Sequence, residues 1–332
     1  MPRRVLITGG SGFIGSHIAR ALAARGDQVH LFDLAPPRAE AQWLLRDHTD
    51  RLTTSTGEVD DWSQLLSAAR QFQPDALIHT AAIGDPAAVQ YRPMLSLRVN
   101  LIGSLNALEL TRLLKIPRVV LLSSIGALPG VRYEPIDASH PTVCASEGPG
   151  SGFYGASKVA VEAYAWGYRQ SFDVDFIVLR PSAVYGFGMR HPIFIKPMVE
   201  NAVLGKPTHF ATGRRFPRDY THVHDVAAQA VAAIDAPASA LRDRIFYAAT
   251  GQPLRTAGEV AGIVRELVPS AEIHIGDGMS DADQLELRYR GRLDVQPAIA
   301  QLGYRPRFAE LRDGIAQYLD EFRAYQQEQA HG

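Results

Sequence analysis

The chain is poor in the features that mark several whole classes of protein. It has a single cysteine, Cys144, in 332 residues. That excludes an intrachain disulfide and a thiolate zinc site, and it fits a reducing, cytoplasmic setting. No stretch reaches the ~20 apolar residues a membrane helix requires; the best uncharged run, 119–131, is broken by Ser123, Ser124, Gly126 and Pro129. The run Val5-Leu6-Ile7 is too short for a signal-peptide core. Neither charge sign is in excess: 34 Lys and Arg against 35 Asp and Glu leave −1. A nucleic-acid partner held through a general basic footprint is therefore not expected. Internal repeats, low-complexity tracts, a Walker A loop and a nucleophile elbow are all missing; Gly148-Pro149-Gly150-Ser151-Gly152 shares only the elbow's composition.

What is present is 46% apolar residues, enough for a sizeable core. The length suits roughly two domains of about 150 residues, or one large α/β unit. Short β-type runs alternate with helical patterns through the first half. Val5–Ile7, Gln28–Leu34, Ala76–His79, Val119–Leu122 and Val174–Leu179 read as strands. Ile14–Arg25, Trp62–Phe72, Val99–Leu114 and Tyr154–Phe172 read as helices with one apolar face. Such alternation predicts an α/β fold, a doubly wound parallel sheet covered on both faces. Beyond residue 180 proline and glycine become frequent. The expected division is 1–180 as the doubly wound unit and 181–332 as a smaller, partly interleaved region closed by the helix 309–327.

The glycine segment Thr8-Gly9-Gly10-Ser11-Gly12-Phe13-Ile14-Gly15 lies between a strand and a helix. Gly9 permits the tight turn, Gly12 lets the backbone approach a pyrophosphate, and Gly15 allows close helix–strand packing. The helix N-terminus then offers free N–H groups to the phosphates. The pattern predicts a Rossmann, dinucleotide-binding unit over 1–180, which leaves 181–332 as the mainly substrate-binding region. Asp33 ends the second strand, eighteen residues past Gly15. A carboxylate there accepts from ribose hydroxyls and repels a 2′-phosphate, which favours NAD over NADP.

Tyr154 and Lys158 stand four residues apart on one helix face. A lysine ammonium beside a phenol favours the phenolate, so Tyr154 is expected to titrate below its usual range and to act as proton acceptor or donor. Ser124 follows the apolar strand 119–122, at the carboxyl edge where such sheets bind ligands. The catalytic candidates are therefore Ser124, Tyr154 and Lys158. His222 and His224 alternate on an expected strand beside Asp225, but no third ligand is evident and no metal is expected.

With these motifs in this order, the chain resembles an extended short-chain dehydrogenase/reductase, the NAD-dependent superfamily that includes UDP-glucose 4-epimerase and other sugar-nucleotide epimerases and dehydratases. Further anchors are Gly57-Glu58-Val59, His79-Thr80-Ala81-Ala82, Asn100, Tyr154-Gly155-Ala156-Ser157-Lys158, Leu179-Arg180-Pro181 and Arg218-Asp219-Tyr220. The resemblance implies that Glu58 and Val59 contact adenine, and that Ala81 and Ala82 pass the cofactor phosphates and ribose. It implies that Asn100 organises the active-site helix and that Lys158 holds the nicotinamide ribose. Phe13, Ile14 and Pro181 join the cofactor set by the same route. It places Ser124 on the substrate oxygen, Arg218 on an anionic group of the substrate and Arg292 at a second phosphate contact. It also implies a homodimer in which the helices beginning at Val99 and Tyr154 pair with their symmetry mates. The small outer face of the second helix, Ala160, Ala163, Tyr164 and Gly167, permits close approach.

Two departures bear on the substrate. Ala183 stands where the sugar-nucleotide enzymes usually carry an Asn on the diphosphate, and Ile125-Gly126 follows Ser124 where dehydratases carry an Asp-Glu pair. Elimination chemistry thus lacks its acid and base. A charge-assisted Arg contact is worth about 1.5–3 kcal/mol against about 0.5–1.5 for a neutral amide. On that comparison a nucleotide sugar stays ahead of a smaller sugar acid or polyol. The Gly/Pro/Ser-rich stretch 130–152 is expected to form a flap over the substrate.

Overall fold

Val5, Leu6 and Ile7 are all fully buried, with Val5 and Ile7 in one apolar cluster and Leu6 in another. A strand covered on both faces needs such an unbroken apolar run. The computed structural model describes residues 2–191 and 193–331. Its strands are β1 (Arg4–Thr8), β2 (Gln28–Asp33), β3 (Leu52–Thr56), β4 (Ala76–His79), β5 (Val119–Leu122), β6 (Phe176–Pro181), β7 (Ala183–Tyr185), β8 (Thr208–Phe210), β9 (Pro217–Arg218), β10 (Tyr220–His222), β11 (Ile245–Ala248), β12 (Arg255–Thr256) and β13 (Ile273–Ile275). Seven of them form one parallel sheet in the order β11-β6-β5-β4-β1-β2-β3. The order reverses between β1 and β4, and ligands of such sheets bind outside the strand carboxyl ends at that point.

One face is covered by the helices Phe13–Ala24 and Val223–Asp235, whose Ile18, Leu22, Ala227, Ala230 and Ala233 pack with Val5, Ile7 and Ile78. The other carries Trp62–Phe72, Gly103–Leu114 and Gly152–Phe172 over Leu6, Leu77, Leu121 and Val178. The outer strand β11 and the helix Val223–Asp235 come from beyond residue 180. A separate core joins the helices Ile195–Leu204, Ala257–Leu267 and Leu311–His331 through Met198, Val199, Val260, Val264, Ile315 and Leu319. The strand pairs β7–β10, β8–β13 and β9–β12 form three separate two-stranded sheets in the part of the chain beyond residue 180.

Two strands of the main sheet, β3 and β11, were not among those expected. The expected strand through His222 and His224 does not form either. His222 ends β10 and caps the helix Val223–Asp235, its Nδ1 accepting from the His224 N–H at 3.2 Å. His224 is thus on the helix and within 3.3 Å of Glu321. Among the described residues no group of three His, Cys, Asp or Glu could hold a metal ion, and no helix is long and apolar enough to cross a membrane.

Candidate active site

β1 runs directly into the glycine segment. Gly9 has φ +72°, and a Cβ there would lie 2.6 Å from the Ala81 nitrogen just past the end of β4. A Cβ on Gly12 would meet the Gly9 carbonyl at 3.1 Å, and one on Gly15 would overlap the same oxygen. Gly9 and Gly15 are therefore required by backbone contact alone, and Gly12 leaves the turn close-packed. Gly12 begins the helix Phe13–Ala24, whose first turn has no capping side chain and no acidic residue. Its N–H groups and positive dipole end are open to an anion. Half-buried Phe13, Ile14, Ala81 and Ala82 line this turn.

Asp33, at the end of β2, accepts from the Ser11 N–H at 2.9 Å and the Leu34 N–H at 2.7 Å. Burial pushes its carboxyl up, and the backbone donors oppose that shift. The Gly57 N–H bonds the Asp33 carbonyl at 2.8 Å, which brings exposed Glu58 and buried Val59 beside the same strand end. An open helix N-terminus, a cradle that any Cβ would fill and a strand-end carboxylate together fit a dinucleotide. Buried Pro181 ends β6 and is paired with Ala248.

Asn100 is fully buried in the wide helical turn Leu97–Ile102. Its Oδ1 accepts from the Ile83 N–H at 2.8 Å and its Nδ2 donates to Ser157 Oγ at 3.4 Å. It thereby ties the loop after β4 to the helix Gly152–Phe172.

Tyr154 is in the first turn of that helix and Lys158 one turn later. Ser124, just past β5, accepts from the Gly126 N–H at 3.0 Å and hydrogen-bonds the Tyr154 hydroxyl. Lys158 Nζ donates to the Leu122 carbonyl at 2.7 Å and lies 5.6 Å from the Tyr154 ring centroid. Burial lowers Lys158 to about 8 while Glu162 pulls it upward. The expected lowering of Tyr154 is not the direction seen in the chain by itself. Burial raises the phenol, with the Ser124 hydrogen bond opposing and Tyr289 reinforcing. The lysine charge is engaged by a carbonyl on the floor of the site rather than by the phenol.

That floor also holds Glu162, which no sequence motif marks. Glu162 accepts from Arg180 at 2.9 and 2.6 Å and from Ser123 at 2.6 Å. Arg180 also donates to the Tyr247 hydroxyl at 3.2 Å. The available signal for Glu162 was its place four residues after Lys158, on the same helix face.

On the substrate side Arg218 is buried and donates to Glu286 at 2.9 Å, with the Phe216 ring 4.5 Å away. Arg292 has an exposed side chain, and its N–H bonds Glu134 at 3.1 Å. The inward arginine is instead Arg290, which donates to Glu286 at 2.7 Å. The stretch 130–152 is bonded to this segment: the Val131 N–H to the Arg288 carbonyl and the Ile136 N–H to the Arg292 carbonyl, both at 2.8 Å. Ala183, on β7, pairs with Tyr220 and offers no polar group. A cavity of about 540 Å³ lined by His209, Arg214, Arg265 and His274 includes none of Ser124, Tyr154 and Lys158.

A family model described as the NAD dependent epimerase/dehydratase family matches residues 5–249. The UDP-glucose 4-epimerase of Mycolicibacterium smegmatis is 31% identical, over 96% of this chain and 98% of that protein. A solved structure, the UDP-glucose 4-epimerase of Thermus thermophilus in complex with NAD, is 30% identical with a TM-score of 0.78, covering 96% of this chain and 99% of that one. MoeE5, solved with UDP-glucuronic acid and NAD, is 25% identical with a TM-score of 0.79, covering 97% and 99%.

Proposed function

The chain belongs to the NAD-dependent epimerase/dehydratase family, and from that premise we propose that it epimerises a secondary alcohol carbon of a nucleotide sugar. The observation that carries this reading is the placement of Ser124, Tyr154 and Lys158 at the sheet's carboxyl edge, next to the glycine cradle. A chain that only bound NAD has no need of all three groups.

The enzyme is NAD-dependent. Gly9, Gly12 and Gly15 would receive the pyrophosphate, Asp33 the adenosine ribose, and Lys158 the nicotinamide ribose. Bound NAD supplies the hydride acceptor and, in the reverse step, the donor. The chain's own part is proton handling and placement. Ser124 hydrogen-bonds the reacting oxygen of the substrate. Tyr154 Oη takes the proton from that hydroxyl and later returns it. Lys158 Nζ, held by the Leu122 carbonyl 5.6 Å from the Tyr154 ring centroid, would favour the phenolate as the proton leaves. Elimination is unsupported, because Ser124 is followed by buried Ile125 and Gly126 rather than by carboxyl groups.

Arg218 supports an anionic substrate, and the two UDP-sugar epimerase relatives support a nucleotide sugar. A second reading, oxidation of a smaller hydroxy compound such as a sugar acid or polyol, is favoured by Ala183. Exposed Leu113, Tyr164 and Phe172 on the outward helices support a homodimer, to be checked by light scattering at micromolar concentration. We place the enzyme in the cytoplasm.

The deciding experiment has two parts. Absorbance and mass of any nucleotide released from the purified protein report whether NAD is retained. Incubation with UDP-glucose, without added cofactor, should yield the 4-epimer. NADH accumulating in step with product, only when NAD is added, indicates the dehydrogenase instead.

A further inference from the structure

One carboxylate oxygen holds two arginines from different parts of the fold. Glu286 Oε2 accepts from Arg218 at 2.9 Å and from Arg290 at 2.7 Å. The arginine side chains are 8% and 10% exposed and the glutamate 33%, so Glu286 lies on the solvent side of both. The seat beneath it is built. Phe194 and Phe216 flank Arg218, and the Tyr289 ring lies 5.3 Å from the Arg290 guanidinium. The Nε of each arginine is buried without an acceptor. Two guanidinium forks carry five N–H donors each, and Glu286 presents a single bridging oxygen. The three groups sum to +1, and the buried Asp219 carboxylate also interacts with Arg290.

The seat adjoins the catalytic phenol. Tyr289 packs its ring against Gly150, accepts from Ser151 Oγ at 3.1 Å and acts electrostatically on Tyr154. Surplus donors and low exposure suit a group with several anionic oxygens, which guanidinium forks bind in paired fashion.

We propose that Glu286 is an internal anion occupying the seat of the substrate's charged group, and that it sets specificity by competing for Arg218 and Arg290. The proposal rests on the reading of an anionic nucleotide sugar and adds Arg290 and Glu286 to that site. For a ligand to bind, Glu286 must withdraw together with its helical turn, Asp281–Leu287. A diphosphate, with two or more charges, displaces it more readily than a monoanion does, and a neutral polyol does not displace it.

The test is calorimetric titration of the full-length chain with inorganic pyrophosphate at fixed ionic strength. Glu286→Gln keeps the size of the side chain and removes its charge. The variant should bind pyrophosphate at least tenfold more tightly than the wild type. Equal or weaker binding overturns the proposal. Glu286→Asp, with the charge on a shorter arm, should give an intermediate gain and serves if the Gln variant fails to fold; no gain there overturns it as well. Combining Glu286→Gln with Arg290→Ala should cancel the gain, and an undiminished gain overturns the assignment of Arg290. UDP is titrated in parallel. If it binds no tighter than pyrophosphate, the nucleotide-sugar reading fails while the pyrophosphate result still decides the role of Glu286.

Discussion

Glu162 and Arg180 meet in a two-bonded ion pair, with N···O distances of 2.9 and 2.6 Å, sealed beneath the catalytic residues. Glu162 lies one helical turn beyond Lys158 and is the charge that pulls the Lys158 ammonium upward against burial. The pair thus joins the helix Gly152–Phe172 to the end of β6 and holds a negative charge beside Lys158.

Removing one partner strands a buried charge. Glu162→Ala should lower unfolding free energy by about 3–5 kcal/mol, read from urea denaturation. It should also lower the Lys158 pKa. A loss under about 1 kcal/mol would mean that Arg180 finds another partner or water.

The proposed role of Asp33 is to set cofactor choice. Its carboxylate is fixed by the Ser11 and Leu34 N–H groups, and a 2′-phosphate there would meet like charge. The dissociation constant for NAD should be at least roughly tenfold below that for NADP, a difference of ~1.4 kcal/mol. Asp33→Ala should narrow the gap. Tighter NADP binding in the wild type contradicts the assignment.

Stability should fall with acid. Burial holds His17 and His79 at about 3 and His222 well below 6.5. His17 and His222 face His224 and Glu321, and His79 faces Lys158. The three are neutral when folded, so below pH ~6.5 the unfolded chain binds protons that the folded chain does not. The loss at pH 5 is about 2 kcal/mol per histidine. The Tm should drop on the order of 10 °C between pH 7 and pH 5. An unchanged Tm over that interval would show that these rings are hydrated or charged in the fold.

The glycine turn after β1 was legible in the sequence because Gly9 and Gly15 are imposed by local backbone contact, and Asp33 because it ends a regular strand. The helix Trp62–Phe72 was legible to the residue because its apolar spacing is regular. β3 was hidden because Leu52-Thr53-Thr54-Ser55-Thr56 is a polar edge strand with a single apolar residue. β11 was hidden because its partner β6 is more than sixty residues earlier. The inward turn of Arg290, rather than Arg292, depends on Glu286 and on Arg218, which lies 68 residues before that glutamate. No spacing rule encodes such a contact. The direction of the Tyr154 shift failed for a similar reason. The i, i+4 rule places Lys158 on the right face and is silent about the Leu122 carbonyl that takes its proton donor.

The central claim is that Tyr154 moves the substrate proton, and Tyr154→Phe tests it most directly. The substitution deletes one oxygen and keeps the ring that packs at the start of the catalytic helix. Proton transfer by a positioned side chain contributes about 10²–10⁴-fold. Turnover of the substrate should therefore fall by at least 10²-fold, with NAD affinity within about threefold of wild type and Tm nearly unchanged. Turnover within threefold of wild type, in a folded variant that binds NAD, would place the acid–base group elsewhere and contradict the account.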